Sequence, residues 1–575
     1  MTASSLVLEI PLEALPGNGA SAAVPLPQSL SVLGDATYMV LDAGEDSLLL
    51  QAGGDAGEHG LSGLIWQDPA RRRYLYPFGS TDHHNIRTFA ERIDRAFLPR
   101  PQREQPAIAA GNRHPEISLP AVFEAFGDIL RRTGRNLAST VQLSATREMT
   151  TSEEIKRRDG SDPTAPGHTR VSIGHLYHAG LWAAIRAGYR SGYSAEADHF
   201  IVSGHDDVSI GQSVEWVKEA IRHAAGYTKF TTDTSRLFDL RADVRHPQPW
   251  TEAQVEELFE RLLSADERRW VLDAFSAPFA LARWSYRFQP AEIRRLAVKF
   301  GPSLKLNEEL FDAIVQAKAG APFDFEPSLD EADTLTTPAE LIFCMHWLRE
   351  RGRPAQLVPP NLGFKKRQAY PDSRAALAEY AGHKMWPELL PRVDRDFCGD
   401  AIAELKSRVG ELAEVARFFD GTLSIHSGSG KQAEVLESIG SATEGRLNYK
   451  ISGELQLQLF DVLSEQPAGS PERRLYQAMV AACEKFASAG AFGEESELAA
   501  RYAATHGSYL GDASLGRVDG NLFLVFWLGN MVGSRDQRGR FFKEALDSLP
   551  SGIVAETRRR NAEYVRWLAR NLFGS

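Results

Sequence analysis

Short apolar runs alternate with longer helical patterns through most of this chain. Runs of four to six residues at Ser139–Leu143, Asp198–Val202, Tyr227–Thr232, Phe323–Ser328, Gln356–Pro359, Thr422–Ile425 and Arg446–Ile451 read as buried strands, several passing directly into polar clusters. Between them apolar positions recur at helical spacing, as at Ser213–Ala224 and at Pro338–Arg351, where Leu341, Ile342, Met345 and Leu348 share a face. Strands that alternate with helices imply a parallel sheet. Seven such strands, an eighth being easily missed, predict an α/β fold: a (β/α)8 TIM-like barrel with helical insertions, an open sheet being the alternative. Segments 250–315 and 455–575 are too long and too helical to be simple connections. They read as helical insertions, or as a helical carboxy-terminal region over one barrel face.

The first part of the chain has a different rhythm. Strand-like pieces at Ser5–Ile10, Tyr38–Asp42 and Ser47–Gln51 are separated by Gly, Pro and Asp turn signals, the pattern of a small β-rich appendage. Leu98-Pro-Arg-Pro-Gln-Arg103 then leads through Pro106 and Pro115 to a helical pattern starting near Pro120. The expected division is an appendage over 1–105 and a catalytic barrel over 106–575.

Composition narrows the function classes. The 575 residues are 43% hydrophobic, enough for a large core, and 65 basic against 76 acidic side chains give a net charge of −11 with the signs interleaved. No concentrated positive field exists for nucleic-acid phosphates. Cys344, Cys398 and Cys483 form no C-x-x-C pair, which argues against a disulfide framework or a cysteine zinc site and leaves buried free thiols. The start lacks the basic segment and uninterrupted apolar stretch of a secretory signal, so cytoplasm is the expected location. The longest apolar run, Leu522–Leu528, falls far short of the roughly 20 residues that span a bilayer.

The chemistry gathers at the strand ends: Ala145-Thr-Arg-Glu148, Ala197-Asp-His199, Thr232-Asp-Thr-Ser235, Asp330-Glu331 and His426. A parallel barrel brings such ends together on one face. Their mixed imidazole and carboxylate set suits Zn, Mn, Co or Ni rather than Ca. Each member alone also has an ordinary explanation, a strand-end Asp as a helix cap and a single His as a hydrogen-bonded structural residue. His426-Ser-Gly-Ser-Gly-Lys431 fails as a phosphate loop, because Ile425 stands where a Gly is required and Gln432 where a hydroxyl is required. Its glycines, hydroxyls and ammonium could still hold a carboxylate or sugar hydroxyls. Asp82-His83-His84 and His205-Asp206-Asp207 read as solvated loop clusters. No dinucleotide fingerprint follows a strand, which disfavours hydride transfer.

Several of these stretches, in this order, resemble the tagaturonate/fructuronate epimerases, metal-dependent enzymes of hexuronate breakdown related to tagatose 4-epimerases. The resemblance is carried by Arg147-Glu148, Gly192-Tyr-Ser-Ala-Glu-Ala-Asp-His199, Phe230-Thr-Thr-Asp-Thr-Ser235, Phe323-Asp-Phe-Glu-Pro-Ser-Leu-Asp-Glu331 with Thr336-Thr-Pro338, and Leu423-Ser-Ile-His-Ser-Gly-Ser429 with Lys431. It implies a barrel holding a divalent metal, with Glu331 and His426 as ligands and His199 as the third. Asp233 would complete the shell or act as a base. Glu148 is the implied acid/base, and Arg147, Ser427, Ser429, Lys431 and Lys450 are implied substrate holders. Gly430 replaces an expected acidic residue, and Glu454 an expected small hydroxyl residue. The expected partner is a small sugar acid or ketose, with neither nucleic acid nor membrane. The implied reaction is epimerisation at the carbon β to a ketose carbonyl by retro-aldol and aldol steps. The alternatives are a metal-dependent aldolase or isomerase on a related sugar, or a non-catalytic sugar-binding relative.

Overall fold

The computed structural model describes residues 23–43, 46–103, 105–142, 145, 170–204, 206–330, 334–364, 370, 400–426, 428, 430–451, 453–488, 529–533 and 537–574. Eight parallel strands form its central sheet: β1 (Ala107–Gly111), β2 (Ala138–Gln142), β3 (Ser194–Ile201), β4 (Lys229–Asp233), β5 (Asp324–Pro327), β6 (Leu357–Val358), β7 (Thr422–Ile425) and β8 (Leu447–Ile451). Apart from β5 and β6, each strand pairs with its chain neighbour and β8 returns to β1, so the sheet curls into a barrel whose seam lies between β5 and β6. Isolated bonds bridge that seam, Gln356 N to Phe325 O at 3.0 Å and Leu329 N to Pro359 O at 3.2 Å. The barrel is nearly closed, as the alternating pattern predicts. The strand absent from the seven apolar runs is β1, Ala107-Ile-Ala-Ala-Gly111, buried along its whole length but built mainly of small residues.

A helix follows each strand: α1 (Pro115–Thr133), α2 (Ile173–Ala187), α3 (Asp207–His223), α4 (Pro290–Lys318), α5 (Pro338–Glu350), α6 (Ala401–Phe418), α7 (Ala433–Ala442) and α8 (Glu454–Ser464). Their starts are set locally. Ser172, Asp206, Thr337 and Asp400 accept hydrogen bonds from first-turn amides, and Pro115, Pro290 and Pro338 occupy positions where a missing N–H costs nothing. Helices Glu252–Leu262 and Ala265–Ala274 are inserted between β4 and α4. At the other end of the chain, helix Ser551–Phe573 packs on α1, α7 and α8. Gly440 of α7 lies so close to the Leu572 carbonyl that no side chain fits there.

Ahead of the barrel, strands within Val24–Pro77 form an antiparallel sheet. Alternation divides its side chains: Tyr38, Val40, Leu49 and Tyr76 join the same core as Leu181 and Ile185 of α2, whereas Met39, Leu41, Leu48, Leu50 and Leu75 form a separate cluster. Arg186 of α2 donates to Asp42 Oδ2 at 2.7 Å, tying the sheet to the barrel. In the Asp82-His83-His84 cluster His84 is exposed, as the sequence suggests, but His83 is not a solvated loop residue. His83 opens a short helix, hydrogen-bonds His175 of α2 at 2.9 Å and stacks on His178. Asp206 caps α3 by accepting from Ser209 N, and His205 lies outside the described residues. No described helix is long and apolar enough to cross a membrane.

Candidate metal centre and active site

The site begins with an irregularity in β3. The β3–β4 register runs Lys229 with Glu196 and Phe230 with Ala197, then Thr232 with Phe200, so one extra residue enters β3 at Asp198–His199. His199 takes a φ of 50°, the left-handed region that a β-bulge uses and that a non-glycine residue enters only at an energetic cost. Strict alternation would send Asp198 inward and His199 outward. With the extra residue, Phe200 stacks on Phe230, and the His199 ring stands 5.4 Å from that of His426. The bulge therefore delivers two consecutive polar side chains to one mouth.

Inward positions of the neighbouring strands complete the cluster. Asp198, Glu326 of β5 and His426, directly after β7, are all buried, and each offers a ligand atom within 4.8 Å of the others. His426 is held at both ring nitrogens, Nδ1 at 3.0 Å from Asp330 Oδ2 and Nε2 at 3.0 Å from Glu326 Oε1. Lys450 of β8 donates to Asp198 Oδ1 at 2.8 Å, to Glu326 Oε1 at 2.5 Å and to Thr231 Oγ1 at 3.1 Å, and forms an ion pair with Glu196 Oε1. Below it, Lys229 stands 2.5 Å from Glu196 Oε2 and 3.8 Å from Glu326 Oε2. Ala109 and Val141 make a small apolar pair inside the barrel, on strands that contribute no charge to this group.

Burial and charge work against each other here. Burial would raise the Glu326 carboxyl, but Lys450, Lys229 and His426 outweigh it and hold the group well below the ordinary carboxylate range. Asp198 is held at about 2, again against burial, chiefly by His199 and Lys450. Burial disfavours the Lys450 ammonium, yet Asp198, Glu196 and Glu326 keep its pKa well above the usual value. His426 is pushed up to about 9: burial lowers it, and Asp330 and Glu326 overcome that.

The donor set fits a divalent cation. The four carboxylates ion-paired to Lys229, Lys450 or His426 are Glu196, Asp198, Glu326 and Asp330, and Asp233 stands beside His199, so with a neutral His426 buried negative charge outweighs the two ammonium groups. Two carboxylates and an imidazole match the borderline metals. Asp330 on Nδ1 is the outer carboxylate that commonly fixes a ligating imidazole, here with Nε2 turned toward Glu326. In chelator-treated protein, protonation of His426 offsets part of the excess instead. Its folded-state pKa is raised, so the stability it contributes is complete below about 6.5 and is lost as pH rises through about 9. The loss expected across that window is roughly 3 kcal/mol. Calorimetry in chelator should show the melting temperature falling over this interval in the native chain and staying flat in His426→Gln.

The residues expected from sequence divide into three groups. His199, Asp233, His426 and Lys450 come together at the strand ends, with His199 Nδ1 3.9 Å from Asp233 Oδ2 and His199 Nε2 3.8 Å from Asp198 Oδ2. Asp233 also accepts from Ser235 N at 3.0 Å and Ser235 Oγ at 2.6 Å, so it shapes its own turn as well as facing His199. Lys431, after β7, is buried with its ammonium over the Phe364 ring. Arg147, Glu148, Glu331, Ser427 and Ser429 lie outside the described residues. Gly430 has a φ of 78°, which explains a glycine where an acidic residue was expected. Sequence reasoning assigned no role to Glu196, Asp198, Lys229 or Glu326. Their signal was present, as charged residues at alternate positions of buried strands, Glu196 and Asp198 on β3 and Asp324 and Glu326 on β5.

Comparison with known proteins points the same way. The family model described as tagaturonate epimerase matches residues 168–366, the span that contains Asp198, Lys229 and Glu326. The tagaturonate/fructuronate epimerase of Thermotoga maritima is 27% identical over 284 residues, so the match spans 49% of this chain and 49% of that relative's length. The native crystal structure of the fructuronate-tagaturonate epimerase from Cohnella laeviribosi superposes with a TM-score of 0.64 at 19% identity over 99% of both chains. A glycerol complex of the same protein gives 0.63 at 19% identity over 96% of both chains. At that identity the structural likeness is one of fold.

Proposed function

We propose that this chain, which belongs to the tagaturonate epimerase family, interconverts tagaturonate and fructuronate, or a closely related keto-uronate pair, at a divalent metal centre built on Asp198, Glu326 and His426. The observation that carries the reading is this buried ligand triad at the strand ends, two of whose members lie within the span matched by the family model. His199 is the proposed further ligand, brought to the mouth by the β3 bulge. Glu331 stays a proposed ligand from the family resemblance.

The chemistry explains the equipment. In a ketose with its carbonyl at C2, the inverted carbon C4 is β to that carbonyl, so enolisation does not acidify its C–H bond. A base that removes the C4 hydroxyl proton lets the C3–C4 bond break: its electron pair passes to C3 and the carbonyl, and C4 becomes an aldehyde. Rotation of the aldehyde before C3 re-adds inverts C4, and the proton returns to the new hydroxyl. A divalent cation held by the triad supplies Lewis-acid stabilisation of the negative charge on the carbonyl side. Glu148 is the proposed base. Lys431, with Arg147, is proposed to hold the substrate carboxylate so that both fragments stay bound. Asp330 holds the His426 ring in orientation through Nδ1.

The test is incubation of metal-reconstituted protein with tagaturonate, fructuronate, tagatose and fructose separately, with products resolved by chromatography beside a chelated control. Interconversion of one pair that stops on chelation supports the proposal. Release of two fragments would replace it with an aldolase, and metal binding without turnover of any of the four would move the substrate elsewhere.

A further inference from the structure

The barrel interior directly beneath the triad is charged where most barrels are apolar, and the proposed reaction uses none of these lower groups. Glu196 is fully buried, and Lys229 nearly so. Adjacent strands place them side by side, Lys229 opposite Glu196 in the β3–β4 register, and Thr231 one inward position further on sets its Oγ1 2.9 Å from both Glu196 Oε1 and Glu326 Oε1, with one hydroxyl hydrogen to give to either. Lys229 also faces Glu326 Oε2, a buried oxygen that accepts no hydrogen bond among the described residues. Glu196 in turn takes the lower side of Lys450, whose other donors go to Asp198 and Glu326. Every path from this lower pair to the mouth thus ends on a triad carboxylate.

A buried ion pair is weak as a device for stability, since desolvation of its two charges offsets most of their attraction. Its charge is nonetheless felt strongly nearby, because few water molecules screen it. We propose that Glu196 and Lys229 are positioning residues that set the charge of the metal centre. Glu196 adds negative charge beneath the triad, which favours a bound cation, and Lys229 offsets part of it. Neither group touches substrate. The inference rests on the metal-centre reading of the triad.

Purified native chain, Glu196→Gln, Lys229→Met and the double variant are stripped of metal. Each is then titrated with Zn²⁺, Mn²⁺, Co²⁺ and Ni²⁺ separately against a chromophoric chelator, with a thermal melt for each protein. For the ion the native chain binds most tightly, Glu196→Gln is expected to weaken binding by about 10–100-fold, the range seen when outer groups of metal sites are changed. Lys229→Met is expected to shift affinity in the opposite direction. The double variant, which restores the original net charge, is expected to return to within about threefold of the native chain. If Lys229→Met fails to fold, recovery of affinity from Glu196→Gln to the double variant carries the same test. Equal affinities in all four proteins, or a double variant weaker than Glu196→Gln, would overturn the charge-setting role. A native chain that binds none of the four ions would instead remove the metal centre itself.

Discussion

Replacing His426 with Ala is expected to abolish stoichiometric metal binding and lower kcat/KM by at least ~10³-fold, because the Lewis acid contributes several kcal/mol to transition-state stabilisation at about 1.4 kcal/mol per decade. His426 is the only nitrogen donor of the buried triad, and its Nε2 lies against Glu326 while Asp330 holds Nδ1. Removing the ring takes away a ligand and also leaves two carboxylates without their shared partner. His426→Asn retains an N–H donor for the Asp330 side. It should fold more readily than the Ala variant yet bind metal as poorly. Metal content by elemental analysis, circular dichroism and turnover separate the possibilities. A folded His426→Ala protein with native metal content and native turnover would remove His426 from the centre.

Much of the fold was legible because strands and helices alternate with different periods. Thr422–Ile425 is read from its apolar pattern with the bounds it has in the structure, and most other strands within two residues. Two strands show why the pattern fails elsewhere. β1 is Ala107-Ile-Ala-Ala-Gly111, whose small side chains give no β-branched signal and sit among Pro residues that read as a linker. β3 starts at Ser194, four residues before its apolar pattern, because Ser194-Ala-Glu-Ala-Asp198 turns Glu196 and Asp198 into a charged interior. A search for inward apolar residues passes over such a strand.

The same cause limited the site. His426 was visible as a strand-end imidazole followed by glycines and hydroxyls, and His199 as part of an Asp-His pair. Of the carboxylates that meet His426, Asp330 was visible just past its strand, whereas Glu326 lies within β5, where an apolar pattern conceals it. Asp324, Glu326 and Ser328 alternate with Phe323, Phe325 and Pro327, so the sequence does carry a strand with an acidic inner face. What it could not carry is the partner set, since Lys229 and Lys450 that neutralise those acids come from strands far away in the chain. The bulge at Asp198–His199 was equally out of reach, as nothing local demands a positive φ at a histidine.

Lys450→Met is the substitution with the largest expected effect on stability. Family resemblance makes Lys450 a substrate holder, but its donors face Glu196, Asp198, Glu326 and Thr231, more acceptors than an ammonium has hydrogens. A group so occupied acts inward. Methionine fills a similar volume and removes the charge, leaving three buried carboxylates with Lys229 as the one remaining ammonium among these partners. Breaking a buried pair in this way costs about 3–5 kcal/mol. Denaturation of metal-free protein in urea should therefore show a loss of that size. Saturating divalent metal should recover part of it, because the cation binds the folded state and replaces the missing positive charge. A substrate holder would behave differently, with unchanged urea stability and an increase in KM alone. That outcome would place the Lys450 ammonium in the substrate pocket and leave the carboxylates to be balanced by the metal and Lys229.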